Sequence, residues 1–126
     1  MRAVDTNVLV RLLTRDDEKQ SASADEFIKG GAWVSHLVLL EAGWVLSSVY
    51  DLTPSQLTKS IAMLLQHESL IIQDADVVTL ALESFKKHPS LGFSDCLVLE
   101  VARKAGHLPL GTFDKRLGKL DGGQRL

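Results

Sequence analysis

The chain has 126 residues, 45% hydrophobic and 24% charged, with a net charge of −2. That length supports one domain with a real core over residues 1–126, and the charge lacks the basic excess of most nucleic-acid binders without excluding one whose acids gather at a metal. A lone Cys96 excludes an intramolecular disulfide and fits a reducing cytoplasm, the opening residues carry no apolar signal region, and no apolar run nears the roughly 20 residues that span a bilayer.

Residues 2–5 read as a buried strand, and Asn7 to Leu13 carries apolar residues at helical spacing. A second helix is predicted over Asp17 to Lys29, stopping at Gly30-Gly31. Trp33 to Ser35 reads as a strand and Leu37 to Tyr50 as a helix that is apolar almost all round. Thr53, Pro54 and Gln56 form a capping box with proline at the first helical position, which starts a helix running to about His67. Leu70 to Gln73 is the next strand, followed by a helix from Asp76 to Lys87 that Pro89 ends. Ser94 is the expected cap of a helix over Asp95 to Lys104, with Gly106 as its stop. Leu108 to Thr112 reads as a short strand weakened by Pro109. A last helix over Asp114 to Lys119 precedes a tail that can add an edge strand. Strands separated by helices imply crossover connections, hence an α/β fold: a three-layer α/β/α sandwich around a short central parallel sheet.

Four acids draw attention because they adjoin apolar runs: Asp5, Glu41, Asp95 and Asp114. Charged side chains are seldom buried unless they are paired or bind metal. Ligands in parallel α/β sheets bind beyond the C-terminal strand ends, which is where Asp5 and Asp114 fall. Asp95 starts a helix and Glu41 lies about one turn into another, so all four are expected to converge on a hard, oxygen-seeking cation, Mg²⁺ or Mn²⁺. Each acid also has an ordinary explanation. Asp5, Asp95 and Asp114 would serve equally as helix caps or first-turn charges, and it is their joint placement that points to a site.

Val4-Asp5-Thr6-Asn7-Val8-Leu9, Glu41, Phe93-Ser94-Asp95-Cys96-Leu97 and Thr112-Phe113-Asp114-Lys115-Arg116-Leu117 together resemble the PIN-domain family, and in size and detail the VapC toxins of toxin–antitoxin pairs. The resemblance covers nearly the whole chain; Cys96 stands where such proteins often carry alanine. It implies a metal-dependent endoribonuclease, a homodimer, and an antitoxin that lies in an apolar groove and closes the site. Phosphodiester hydrolysis needs a nucleophilic hydroxide and relief of charge on the phosphate, which one or two Mg²⁺ ions supply. Asp5 and Asp95 are the first choices for direct ligands, with Glu41 and Asp114 acting through water. Thr112 suits orientation of a water or the phosphate, and Thr6 and Asn7 suit support of the carboxylates.

Arg11, Arg15, Lys115 and Arg116 are candidates for RNA phosphate contact, against the commoner role of solvated surface charge. His36, His67, His88 and His107 lack metal-ligand spacing and read as surface residues; Cys96 lacks a base at helical spacing, which argues against a thiol nucleophile. Trp44, on the apolar helix, is a candidate anchor for a partner. Two rival readings remain: an inactive PIN-like RNA-binding or scaffold module, and a phospho-aspartate phosphatase with Asp5 as nucleophile, against which Asn7 stands where the general acid would be.

Overall fold

In the computed structural model, which describes residues 1–126, the first strand, β1 (Arg2–Ala3), is shorter than its apolar run because the next helix begins at once. Helices α1 (Thr6–Thr14) and α2 (Glu18–Ile28) follow, then β2 (Ala32–Val34), α3 (His36–Ser48), α4 (Pro54–Gln66) and β3 (Leu70–Ile72). These elements make up one compact unit, Met1–Ala75; a second, Asp76–Leu126, contains almost all of the remaining helices and strands.

In the first unit the strands pair in the order β1-β2-β3, all parallel, with Ala32 opposite Leu70 and Trp33 opposite Ile71. Parallel neighbours need crossovers, and the helix pairs α1–α2 and α3–α4 supply them. Side chains alternate across a strand, so Ala32, Val34, Leu70 and Ile72 are buried, whereas the cross-strand partners Trp33 and Ile71 point the other way and stay 38% and 53% exposed. Leu9, Val10, Ile28, Leu39, Leu46, Leu57 and Ile61 fill the core against the buried face.

The helix boundaries follow local chemistry. Asp17 caps α2 by accepting from the Gln20 N–H at 2.9 Å. Thr53 and Gln56 form the reciprocal capping box with Pro54 in the first turn. Gly31, with φ +97°, turns the chain from α2 into β2.

The second unit holds α5 (Ala75–Lys87, which begins at the last residue of the first unit), a single 3₁₀ turn at Pro89–Leu91, α6 (Phe93–Ala105), β4 (Leu110–Thr112), another 3₁₀ turn at Leu117–Lys119, and β5 (Gly123–Arg125). Strands β4 and β5 pair in parallel, so the tail does add a strand, but in a sheet of its own. The α/β class with short parallel sheets therefore holds, with the strands divided between two sheets and not gathered into one. Within this unit, Phe85 meets Phe93 edge to face with centroids 6.2 Å apart, beside buried Leu82, Leu91, Cys96, Leu97 and Leu99.

Two local expectations need correcting. Ser94 does not cap α6: the helix starts at Phe93, after Gly92 with φ +83°, and Ser94 lies exposed inside the first turn. The helix expected over Asp114 to Lys119 shrinks to the 3₁₀ turn, because the Asp114 carboxylate captures the Arg116 and Leu117 N–H groups and closes a tight turn instead. Gly106 ends α6 as expected, in the left-handed region at φ +82°.

Candidate metal centre

Asp5 follows β1 and caps α1: its Oδ1 accepts from the Val8 N–H at 3.2 Å. The ordinary cap role is thus real, and it leaves the second carboxylate oxygen free. Thr6 is buried in the first turn of α1, and Asn7 is exposed on it. Because β1 and β2 are parallel, the starts of α1 and α3 lie at the same edge of the first sheet. Ser35 caps α3, accepting from the Val38 N–H.

Glu41, enclosed by apolar residues in sequence, is exposed in the structure. The helical period explains this, since Leu37, Glu41 and Trp44 form one outward stripe while Leu39, Ala42, Gly43 and Leu46 are buried. Asp5 and Asp114 are exposed as well, so of the four acids only Asp95 is half-buried. Their carboxylates stand at the borders of core elements, not inside the core.

The structure brings Asp95 and Asp114 within electrostatic reach of each other in the second unit. Burial first, and then the charge of Asp114, hold the Asp95 carboxyl above its ordinary value. Asp114 is fixed by its turn: Oδ1 accepts from Arg116 N at 2.8 Å and Leu117 N at 2.9 Å, and the Asp114 N–H donates to Thr112 Oγ1 at 3.0 Å. Thr112 thereby positions Asp114 directly, a contact that the Thr-x-Asp spacing makes natural.

None of the four acids forms an ion pair, whereas Asp16, Asp25, Asp76 and Glu100 each pair with an arginine or lysine. Within neither unit do three potential ligands of the His, Cys, Asp or Glu type gather at one point. As a donor set, carboxylates without cationic partners, one of them partly desolvated beside another, fit a hard divalent ion.

The basic candidates divide. Arg11 is taken up by Asp16, Gln20 and Tyr50, and Arg15 by Asp25 through two hydrogen bonds. Both are therefore structural clasps, and neither is a free phosphate ligand. Arg116 donates to the Ser90 carbonyl, while Lys115 is exposed. His36 is not a plain surface residue: it is half-buried and its Nε2 lies 2.7 Å from the Gln73 carbonyl. Cys96 is buried, and that burial pushes its thiol up, which suits a packing role. Sequence reasoning overlooked the polar network of Arg11, Thr14, Asp16 and Tyr50; it spans separate elements and has no local motif.

Residues 2–123 match the family model described as the PIN domain. Comparison with curated proteins finds no match. Among solved structures, the chain is similar to the crystal structure of Mycobacterium tuberculosis VapC20, titled a Sarcin-Ricin loop cleaving toxin, at 17% identity over 98% of each chain with a TM-score of 0.44. That likeness is too slight to bear on fold or function.

A raised carboxyl opposes folding where it is ionised. The cost of Asp95 is present in full above its folded value and vanishes below the ordinary aspartate range. In EDTA at neutral pH, Asp95→Asn is expected to melt above wild type, with the gap closing as the pH falls through the acidic range. Melting curves followed by circular dichroism measure this; coincident curves at every pH would show that Asp95 carries no such cost.

Proposed function

The chain belongs to the PIN-domain family, and from that premise we propose that it is a metal-dependent endoribonuclease, the toxin of a toxin–antitoxin pair, working as one nuclease domain in the cytoplasm. Asp5, Glu41, Asp95 and Asp114 together would hold Mg²⁺, or Mn²⁺ in its place. All four lie inside the matched residues 2–123. The observation that carries the reading is the Asp95–Asp114 pair, two neighbouring carboxylates with no basic side chain paired to either, one of them held above its ordinary value.

A divalent cation supplies Lewis acidity and charge relief to phosphodiester hydrolysis. This chain's own part is to hold and orient. Asp95 and Asp5 are the direct holders, and Glu41 and Asp114 act through water. Thr112 fixes the backbone of Asp114 and faces the water or phosphate, Thr6 and Asn7 support Asp5, and Lys115 and Arg116 meet RNA phosphates. Carboxylates alone repel RNA, so the cation is needed for binding as well as chemistry.

The partners in this reading are an RNA substrate, a second copy of the chain and an antitoxin. No helix is long and apolar enough to cross a membrane. The outward stripe of α3, with Leu37 79% and Trp44 66% exposed, supports a protein-binding surface there. One observation favours a second reading, an inactive PIN-like RNA-binding or scaffold module: no three potential ligands gather within either unit.

Cleavage assays separate the two. Asp5→Asn and Asp95→Asn should each lower the RNA cleavage rate by at least about 100-fold, on the scale of losing a main transition-state contact, while the fold survives. Wild-type rates in a folded variant would remove that residue from the ligand set. For the interface, wild type should scatter light as a dimer and Trp44→Ala should dissociate at higher concentration; a monomeric wild type at high concentration would refute the homodimer.

A further inference from the structure

Phe113 is the most exposed large apolar side chain in the protein, at 81%. It lies between Thr112 and Asp114, and its backbone is braced on both sides. The Thr112 carbonyl accepts from Leu126 N at 2.8 Å, and Thr112 Oγ1 accepts from Asp114 N at 3.0 Å. Beyond it, Asp114 closes the turn that buries Leu117. The ring is thus held out by an ordered turn.

Its chain neighbours are not those of an apolar docking patch. Asp114, Lys115 and Arg116 follow it, all exposed, and Lys115 adds an unpaired cation. A single aromatic face set among charges, next to an acid that shares an electrostatic site with Asp95, suits a flat, polar-edged ligand with a phosphate attached. A nucleobase has that chemistry. Sequence-tolerant binding of single-stranded RNA commonly rests on bases stacked against exposed aromatic rings beside cations that meet the backbone.

We propose that the Phe113 ring is a stacking platform for one base of single-stranded RNA, beside the nucleotide whose phosphate would meet the cation that Asp114 helps to hold, with Lys115 neutralising the neighbouring phosphate. This rests on the nuclease reading. It adds a substrate-binding residue that takes no part in the chemistry, and it makes unpaired RNA the preferred substrate, since a base within a duplex has no free face to offer.

The test measures affinity for a short single-stranded RNA in Mg²⁺ by fluorescence anisotropy, with one abasic nucleotide moved along the strand. In wild type, one abasic position should weaken binding markedly. Phe113→Ala should weaken the intact RNA by roughly tenfold and abolish that position's penalty, while Phe113→Tyr restores both. Cleavage kinetics should show the loss in KM with kcat nearly unchanged. Equal affinity of wild type and Phe113→Ala would overturn the proposal and leave the nuclease reading intact. A change of oligomeric state in Phe113→Ala without a change in RNA affinity would assign the ring to a protein contact and also overturn it. RNA binding absent from wild type itself would remove both readings.

Discussion

Two carboxylates held within electrostatic reach of each other, with no basic side chain paired to either, set the terms for the second unit. Neither can move away cheaply. The helical register that buries Phe93, Cys96, Leu97 and Leu99 leaves Asp95 half-buried in the first turn of α6. Asp114 is pinned because its Oδ1 closes the turn that buries Leu117. Their repulsion is therefore a consequence of packing, and a divalent ion bound there would relieve it more completely than a lysine could, since it accepts several oxygens at once. The first unit supplies its acids differently, Asp5 by capping a helix and Glu41 by lying on an outward stripe.

The positive charges are arranged to match. Arg11 and Arg15 lie near Asp5 in sequence, yet both are engaged in holding the α1–α2 connection. Arg11 joins Asp16 and Tyr50, and a hydrogen bond from the Tyr50 hydroxyl, followed by one from Thr14, keeps the Asp16 carboxyl below its ordinary value. These exposed pairs add little stability individually. Their effect is positional, since they tie the C-terminal end of α1 to the connection into α2. Phosphate contact in the proposed function then falls to Lys115 and Arg116, on the same turn as Asp114.

Much of the fold was legible because the signals are local. The Thr53-Pro54-Gln56 start, the Gly106 stop and the short apolar run at Leu70–Ile72 each rest on a few adjacent residues. The failures share a cause. Ser94 has the residue type of a cap, but Gly92 adopts φ +83° and lets α6 begin two residues earlier, at Phe93. The predicted final helix gave way to a turn because an aspartate side chain competed for backbone N–H groups. Glu41 seemed enclosed because neighbours in sequence are not neighbours across a helix. The division of the strands into two sheets depends on long-range pairing, which no local pattern carries. For the site, residue types and order were readable; burial was not, and three of the four acids are exposed.

The central claim is that these acids bind a divalent cation and that RNA is cut only when they do. The most direct measurement incubates purified protein with single-stranded RNA in millimolar Mg²⁺ or Mn²⁺, with and without excess EDTA, and resolves the products by gel. The account predicts cleavage with either ion and none in EDTA, with activity restored when Mg²⁺ is returned. Cleavage that continues unchanged in EDTA, or no cleavage by folded protein with either ion, would contradict it.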